Sequence, residues 1–230
     1  MPHMPCELIV VLDVDTRTEA LVLADACGSG WFKIGSQLFT RCGPDIVRAV
    51  LDKGNQVFLD LKFHDIPNTV AHAVRAAADL GAGLCTLHAS GGHRMIEAAR
   101  RAVEGTPARL LAVTVLTSLT DDMLRSEIGV PGTAVEVVPR WARLAVDAGA
   151  HGIVCSPHEI AAVRAAVGPK ALIVTPGIRP AWAGQDDQAR IMTPREAAQA
   201  GASMIVVGRP ILKHPRPALA VHMVREELLG

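Results

Sequence analysis

The segment QVFLDLKFHDIPNTVAHAVRAAADLGA, residues 56–82, combines an apolar run with a helical pattern. Its first seven residues, 56–62, contain the consecutive apolar residues Val57, Phe58 and Leu59, which is typical of a parallel strand covered on both faces. Apolar residues then recur at helical spacing: Val70, Ala73, Val74, Ala77 and Ala78. The segment therefore predicts a strand followed by a helix that packs back onto it.

The same alternation continues along the whole chain. Eight apolar strand candidates are separated by Ala-rich segments of helical period: 8–14, 31–35, 56–62, 84–90, 110–116, 152–156, 172–177 and 204–210. An open doubly wound sheet is the alternative, but eight regularly spaced units without a G-x-G-x-x-G after the first strand favour closure. We therefore predict an α/β protein with a (β/α)8 TIM barrel. Because no linker interrupts the pattern, we expect one domain over residues 1–230.

The composition argues against several classes of protein. The formal net charge is zero, which disfavours a nucleic-acid partner held by bulk charge. No apolar run reaches the roughly 18 residues of a membrane span, and no signal peptide is visible. The cysteines are scattered and never paired as C-x-x-C, so we expect buried thiols in the cytoplasm rather than disulfides or zinc: Cys6, Cys27, Cys42, Cys85 and Cys155.

Polar residues interrupt the apolar runs near the ends of the predicted strands. Inward-facing residues at the C-terminal ends of barrel strands line the mouth, where the active sites of such barrels lie. The sequence therefore predicts that the mouth gathers Asp13, Lys33, Asp60, Lys62, His88, Thr117, Ser156 and Arg209.

The third strand carries two of these charges two residues apart. Because side chains alternate along a strand, Asp60 and Lys62 should both face inward while Leu59 and Leu61 face the helices. Taken alone, the pair is equally compatible with a structural ion pair at the barrel rim.

Lys33 on the neighbouring strand and Asp65 beyond Lys62 extend the pair to an alternating set of charges. Holding several charges in a cleft costs desolvation energy that only close mutual pairing offsets. Proteins tend to keep such clusters where the chemistry uses them, so the set favours a catalytic role. A lysine flanked by carboxylates favours its cationic form. It is therefore predicted to donate a proton rather than to form a Schiff base.

The last two strands carry the features of a phosphate site. Gly208 permits close approach of the backbone, and Arg209 offers a planar set of donors suited to phosphate. Arg179 follows the seventh strand, and Gln188 lies in the loop after it. Phosphate sites of these barrels often form after strands seven and eight. The alternative is that Arg209 only caps a carbonyl group at the rim.

Other polar residues are interpreted as structural. Asp13 and Asp15 resemble a D-x-D metal pair, but Asp15 is expected to cap the first helix or to lie in its approach. Cys85 and His88 lack a visible third group, so a Cys/His nucleophile is disfavoured. Hydrogen-bonded structural roles are expected for His64, His88, His151 and His158.

Several motifs together resemble one family. FLDLKFHDIPNT, residues 58–69, is similar to the D-x-K-x-x-D signature of the orotidine 5′-monophosphate decarboxylase family in its bacterial form. The same similarity extends in order along nearly the whole chain, through VVLDV, FKIG, TLHASGG, AVTVLTS, TPGIRP and VVGRPI. One local departure is Asp186-Asp187-Gln188, where the family commonly has Gly-Asp-Gln.

The resemblance implies decarboxylation of orotidine 5′-monophosphate to uridine 5′-monophosphate (UMP), the last step of de novo UMP synthesis, without a cofactor or metal. It implies that Lys62 protonates C6 of the pyrimidine within a charge network of Lys33, Asp60 and Asp65. It also implies a homodimer whose sites are shared. The residues that would reach the partner's site are Asp65, Ile66 and Thr69.

The resemblance also assigns the rest of the substrate. Asp13 and Lys33 would contact the ribose, and Thr117 and Ser118 the pyrimidine. The phosphate end of the site would be formed by Arg179, Pro180, Gln188, Gly208 and Arg209.

Two other functions remain open from the sequence. Hexulose-phosphate synthases and ketogulonate-phosphate decarboxylases share the D-x-K-x-x-D strand but use Mg²⁺, typically with a glutamate ligand on the second strand, where this chain has Lys33. The other alternative is a non-catalytic barrel that binds a nucleotide or sugar phosphate.

Overall fold

Eight parallel strands close into a barrel in the part of the chain that the computed structural model describes, residues 6–28, 30–183 and 192–229. Each strand pairs with its neighbours in sequence, and the first also pairs with the eighth. The strands are β1 Glu7–Val11, β2 Trp31–Gly35, β3 Gln56–Phe63, β4 Leu84–His88, β5 Arg109–Val113, β6 Gly152–Val154, β7 Leu172–Thr175 and β8 Met204–Val207. The predicted (β/α)8 TIM barrel is confirmed.

Helices surround this barrel. They are α1 Arg17–Cys27, α2 Ser36–Cys42, α3 Asp45–Leu51, α4 Pro67–Asp79, α5 Gly92–Ala102, α6 Asp121–Ser126, α7 Ala134–Asp147, α8 Ile160–Val167, α9 Pro194–Ala200, α10 Arg209–Leu212 and α11 Pro217–Leu229. Short 3-10 turns precede α5 and α8, over Ala89–Gly91 and Pro157–Glu159. No helix among the described residues is long and apolar enough to cross a bilayer.

The predicted strands begin within one residue of the observed ones, but most were predicted to end too late. The first ends at Val11 rather than at residue 14, and the fifth at Val113 rather than at residue 116. The apolar pattern continues because residues such as Val115 stay buried after the backbone has left the hydrogen-bonded ladder. At the C-terminal ends of the strands, buried apolar side chains therefore continue beyond the last residue that pairs with a neighbouring strand.

Alternation along the strands divides the core into two layers. Ile9, Phe58 and Leu111 belong to a cluster that fills the barrel interior. Leu59 lies in the outer cluster between strands and helices, and Leu61 packs against it, as predicted. Because side chains fill the interior, the barrel offers a ligand space at its mouth rather than along its axis.

Side-chain caps fix several helix starts. At α9, Thr193 accepts the Glu196 N–H while the Glu196 carboxylate accepts the Thr193 N–H. At α1 the cap is Thr16 rather than Asp15. Asp15 lies in the approach to that helix, where it accepts a hydrogen bond from Gln37 at 2.7 Å.

His151 links the N-terminal ends of two strands. Its Nδ1 accepts the backbone N–H of Leu110 at 2.9 Å, which requires that this nitrogen carries no proton. Burial, and then the charges of Arg100 and Arg109, lower the pKa of His151 below its ordinary 6.5. The unfolded chain therefore takes up this proton at a higher pH than the folded chain does.

We expect the free energy of unfolding to fall as the pH drops below about 6.5, because the unfolded state then binds more protons than the folded state. Replacing His151→Asn keeps an acceptor in place of Nδ1 without a titrating group, so the slope of stability against pH should decrease by up to about one proton. Urea unfolding between pH 5.5 and 7.5 measures both slopes. Equal slopes in the two proteins would contradict this assignment.

Candidate active site

Four charged side chains alternate in sign across the C-terminal ends of β1, β2 and β3. The Asp13 Oδ1 lies 3.1 Å from the Lys33 Nζ. The same Lys33 Nζ lies 3.6 Å from the Asp60 Oδ2, which in turn lies 2.8 Å from the Lys62 Nζ. The observed order within one chain is therefore Asp13–Lys33–Asp60–Lys62.

The two central charges are the most buried. The side chains of Lys33 and Asp60 are 13% and 12% exposed, whereas those of Lys62 and Asp13 are 34% and 48% exposed. Removing a carboxylate from water is costly unless opposite charges and hydrogen-bond donors surround it. Asp60 meets this condition with two ammonium groups on one oxygen and a hydroxyl on the other.

Lys62 has an unusual backbone. Its φ is +52°, and it is the one non-glycine residue with positive φ in the described part of the chain. This left-handed conformation is uncommon for residues other than glycine, and such strain often accompanies functional sites. It coincides with a register shift between β3 and β4, located between Leu59 and Phe63.

Thr86 on β4 contacts both members of the Asp60–Lys62 pair. Its hydroxyl accepts the Lys62 backbone N–H at 2.9 Å and donates to the Asp60 Oδ1 at 2.9 Å. The sequence interpretation missed this residue. The available signal was a threonine in an otherwise apolar strand, on the same alternating face as His88.

The charged set borders a cavity of about 210 Å³ at the barrel mouth. One side is charged, and the rest is mostly apolar, a combination typical of sites that bind small molecules. The lining residues are Lys33, Phe58, Asp60, Lys62, Val113, Val115, Leu116, Thr117, Val154, Cys155, Pro176 and Val206. Of the two residues predicted at the pyrimidine, Thr117 thus lines the cavity, and Ser118 lies exposed beside it.

Asp65 does not join this set within one chain. Among the described residues, its side chain has no ion pair with Lys62 within 4.0 Å. Its Oδ1 instead accepts the backbone N–H of Ile66. Asp65, Ile66 and Thr69 are all exposed at the start of α4, and Ile66 is a large apolar side chain that is 66% exposed.

The residues predicted to bind phosphate lie after β7 and β8. Arg179 is buried, and its backbone N–H donates to Met192 O at 3.0 Å, while Pro180 is buried beside it. Gly208 precedes α10, and Arg209, the first residue of that helix, is exposed. Gln188 lies outside the described residues, as does the Asp186-Asp187 pair.

The remaining candidates are poorly suited to chemistry of their own. Burial, and then the charges of His64 and Lys62, lower the pKa of His88, which favours a neutral imidazole. The ring of His64 lies 5.4 Å from that of His88. Burial raises the pKa of the Cys85 thiol to about 12, so it is no thiolate nucleophile. Ser156, buried, caps the turn before α8, and His158 is exposed.

The chain matches known proteins over nearly its full length. A protein named orotidine 5′-phosphate decarboxylase from Anaeromyxobacter sp. (strain K) is 56% identical over 223 residues, covering 96% of this chain and 97% of the relative. One of the same name from Heliobacterium modesticaldum is 50% identical over 230 residues, covering 96% and 95%.

A solved structure and a family model give the same result. The crystal structure of orotidine 5′-phosphate decarboxylase from Lactobacillus acidophilus superposes with a TM-score of 0.88 at 37% identity, covering 98% of this chain and 100% of that one. The sequence profile described as "Orotidine 5'-phosphate decarboxylase / HUMPS family" matches residues 7–224. This chain belongs to the orotidine 5′-phosphate decarboxylase / HUMPS family.

Proposed function

We propose that this protein converts orotidine 5′-monophosphate to UMP and CO2, the last step of de novo UMP synthesis, as a carboxy-lyase that uses no cofactor. The observation that carries the proposal is the Asp13–Lys33–Asp60–Lys62 charge series beside the cavity. The similarity of the chain to a relative that is named for this activity, at 56% identity, supports the same conclusion.

The proposed chemistry needs only one proton donor. When the bond between C6 and the carboxylate breaks, CO2 leaves and the electron pair stays on C6 of the pyrimidine. The Lys62 ammonium, held 2.8 Å from the Asp60 carboxylate, stabilises this developing negative charge and then transfers a proton to C6. Lys62 regains its proton from water after the product leaves.

Asp60 and Lys33 position this donor. In the proposed complex the substrate carboxylate lies beside Asp60, so that repulsion between the two anions disappears as neutral CO2 departs. Because the network exists before the substrate binds, its charges need not reorient during the reaction. Lys33 supplies a second ammonium group to the same Asp60 Oδ2, at 3.6 Å, and so helps to balance the charge of the carboxylate.

The proposed site holds the rest of the nucleotide away from the reacting carbon. Asp13 and Lys33 contact the ribose, and Thr117 and Ser118 the pyrimidine. The phosphate lies at Arg179, Pro180, Gln188, Gly208 and Arg209. Binding energy from a remote phosphate can stabilise the transition state by ordering the loops around it.

The family description also names HUMPS proteins. From the sequence, the Mg²⁺-dependent reaction of a hexulose-phosphate synthase or a ketogulonate-phosphate decarboxylase remained an alternative for this chain. Lys33 weighs against that alternative, because its ammonium already lies between the carboxylates of Asp13 and Asp60, at 3.1 and 3.6 Å. A cation in that position serves the purpose that a bridging metal would serve. A purely binding barrel has no need to hold four charges together at its mouth.

We propose further that the enzyme is a cytoplasmic homodimer of single-domain subunits, residues 1–230, whose sites are shared. Asp65, Ile66 and Thr69 would then complete the partner's site. Their exposure at the rim, and the absence of an ion pair between Asp65 and its own Lys62 among the described residues, support this arrangement. The five unpaired cysteines fit a reducing compartment.

The activity predicts loss of orotidine 5′-monophosphate absorbance with the wild type, unchanged by EDTA. Lys62→Ala should lower kcat at least about 1,000-fold, because it removes both the proton donor and the charge that stabilises C6. Lys53→Ala is the matched control, since Lys53 pairs with Asp25 on the surface at 2.7 Å. A silent wild type, metal-dependent turnover or an unimpaired Lys62→Ala would each refute the proposed function.

The strained backbone at Lys62 predicts that function is maintained at the expense of stability. Lys62→Gly and Lys62→Ala both lose the ammonium, but only glycine adopts the φ of +52° without steric cost. The glycine variant should therefore be more stable than the alanine variant by about 0.5–1 kcal/mol. Urea unfolding of the two variants measures this difference, and a glycine variant less stable than the alanine variant would contradict the assigned strain.

Shared sites predict complementation between inactive variants. Lys62→Ala and Asp65→Asn should each be inactive. After the two variants are mixed in equal amounts and have exchanged subunits, the mixture should regain about a quarter of wild-type activity. The reason is that half of the dimers are then mixed, and each mixed dimer has one intact site out of two. Lys62→Ala mixed with Lys33→Ala is the matched control and should stay inactive, because both lysines come from the same chain. A mixture of Lys62→Ala and Asp65→Asn that exchanges subunits but stays inactive would refute shared sites.

A further inference from the structure

We propose that Thr86 is a positioning residue for the reaction, which holds the Asp60 carboxylate and the Lys62 backbone in their working arrangement. This inference rests on the proposed function. Thr86 is fully buried and does not line the cavity at the barrel mouth, so it would act without touching the substrate.

The register between β3 and β4 explains why a hydroxyl is needed there. Leu59 pairs with Cys85 and Phe63 with Leu87, so three residues of β3 lie opposite the single residue Thr86. Such a bulge takes backbone groups out of the ladder. The Thr86 hydroxyl accepts the Lys62 N–H at 2.9 Å, and thereby replaces a ladder carbonyl with a side chain.

The same hydroxyl orients the carboxylate. Because its oxygen accepts the Lys62 N–H, its own proton is free to point at the Asp60 Oδ1, 2.9 Å away. This contact occupies one carboxylate oxygen and leaves Oδ2 for the ammonium groups of Lys62 and Lys33, at 2.8 and 3.6 Å. One side chain thus couples the path of the strand to the direction of the charge.

Removing the hydroxyl would have two effects at one place. The Lys62 N–H would lose its acceptor and Asp60 would lose a donor, both in a poorly hydrated environment where unsatisfied polar groups are costly. The bulge would relax and move the Lys62 ammonium relative to C6. A misplacement of about 1 Å can reduce a rate about 100-fold.

The test compares variants of Thr86 that separate the effect of the hydroxyl from that of the methyl group. Thr86→Val keeps the shape and removes the hydroxyl, and Thr86→Ser keeps the hydroxyl and removes a methyl group. We expect Thr86→Val to lower kcat about 10- to 100-fold, and Thr86→Ser to stay within about threefold of the wild type. Both should bind UMP within about threefold of the wild-type Kd, because the ribose and phosphate contacts are elsewhere.

Thr86→Cys provides a second comparison if the valine variant does not fold. Cysteine and serine are similar in size, but a thiol is a weak donor and acceptor, so kcat should fall well below that of Thr86→Ser. Thr114→Val is the control for loss of a buried hydroxyl directly after a strand, since the Thr114 hydroxyl donates to the Val154 carbonyl at 3.2 Å. It should keep the wild-type kcat.

The outcomes separate this inference from the proposed function. A wild type without decarboxylase activity would remove the proposed function itself. An active wild type with Thr86→Val or Thr86→Cys as fast as Thr86→Ser would refute the positioning role alone. A parallel loss of kcat and UMP affinity in Thr86→Val would also refute it, because a merely structural defect affects both.

Discussion

The arrangement of this site depends on the contacts that the Asp60 carboxylate makes. It is almost fully buried, and one of its oxygens interacts with two ammonium groups while the other accepts the Thr86 hydroxyl. A buried anion with fewer partners would be unfavourable, so the neighbouring cations must stay close to it. In the proposed reaction this need keeps a cationic Lys62 at the cavity before the substrate arrives.

The barrel makes this arrangement possible through two opposed features. Regular alternation fills the interior and brings the ends of β1, β2 and β3 together at one mouth. The bulge at Lys62 then breaks the regularity of β3 at its C-terminal end. The regularly paired strands provide the packed core, and the bulge sets the direction of the Lys62 ammonium. Backbone strain of this kind is common at functional sites.

Much of this could be predicted from the order of residue types. The apolar runs predicted the closed barrel, and period-two alternation placed Asp60 and Lys62 inside, with Leu59 and Leu61 outside. The apolar periodicity of the sequence does not show which residue will have a positive φ. The bulge at Lys62 and the hydrogen bonds of Thr86 were therefore not predicted. Asp13 rather than Asp65 is the fourth charge within one chain. The contact of Asp65 with the site belongs to the proposed homodimer, and contacts between chains leave no pattern in the spacing of residues along one chain.

Proton transfer from Lys62 to C6 is the central claim, and hydrogen exchange on the product tests it apart from the loss of CO2. Transfer is reversible in principle, so the wild-type enzyme should exchange the C6 hydrogen of UMP for deuterium in D2O, as followed by proton NMR. Lys62→Ala should not catalyse this exchange while Lys53→Ala should. Exchange by Lys62→Ala at the wild-type rate would contradict the account.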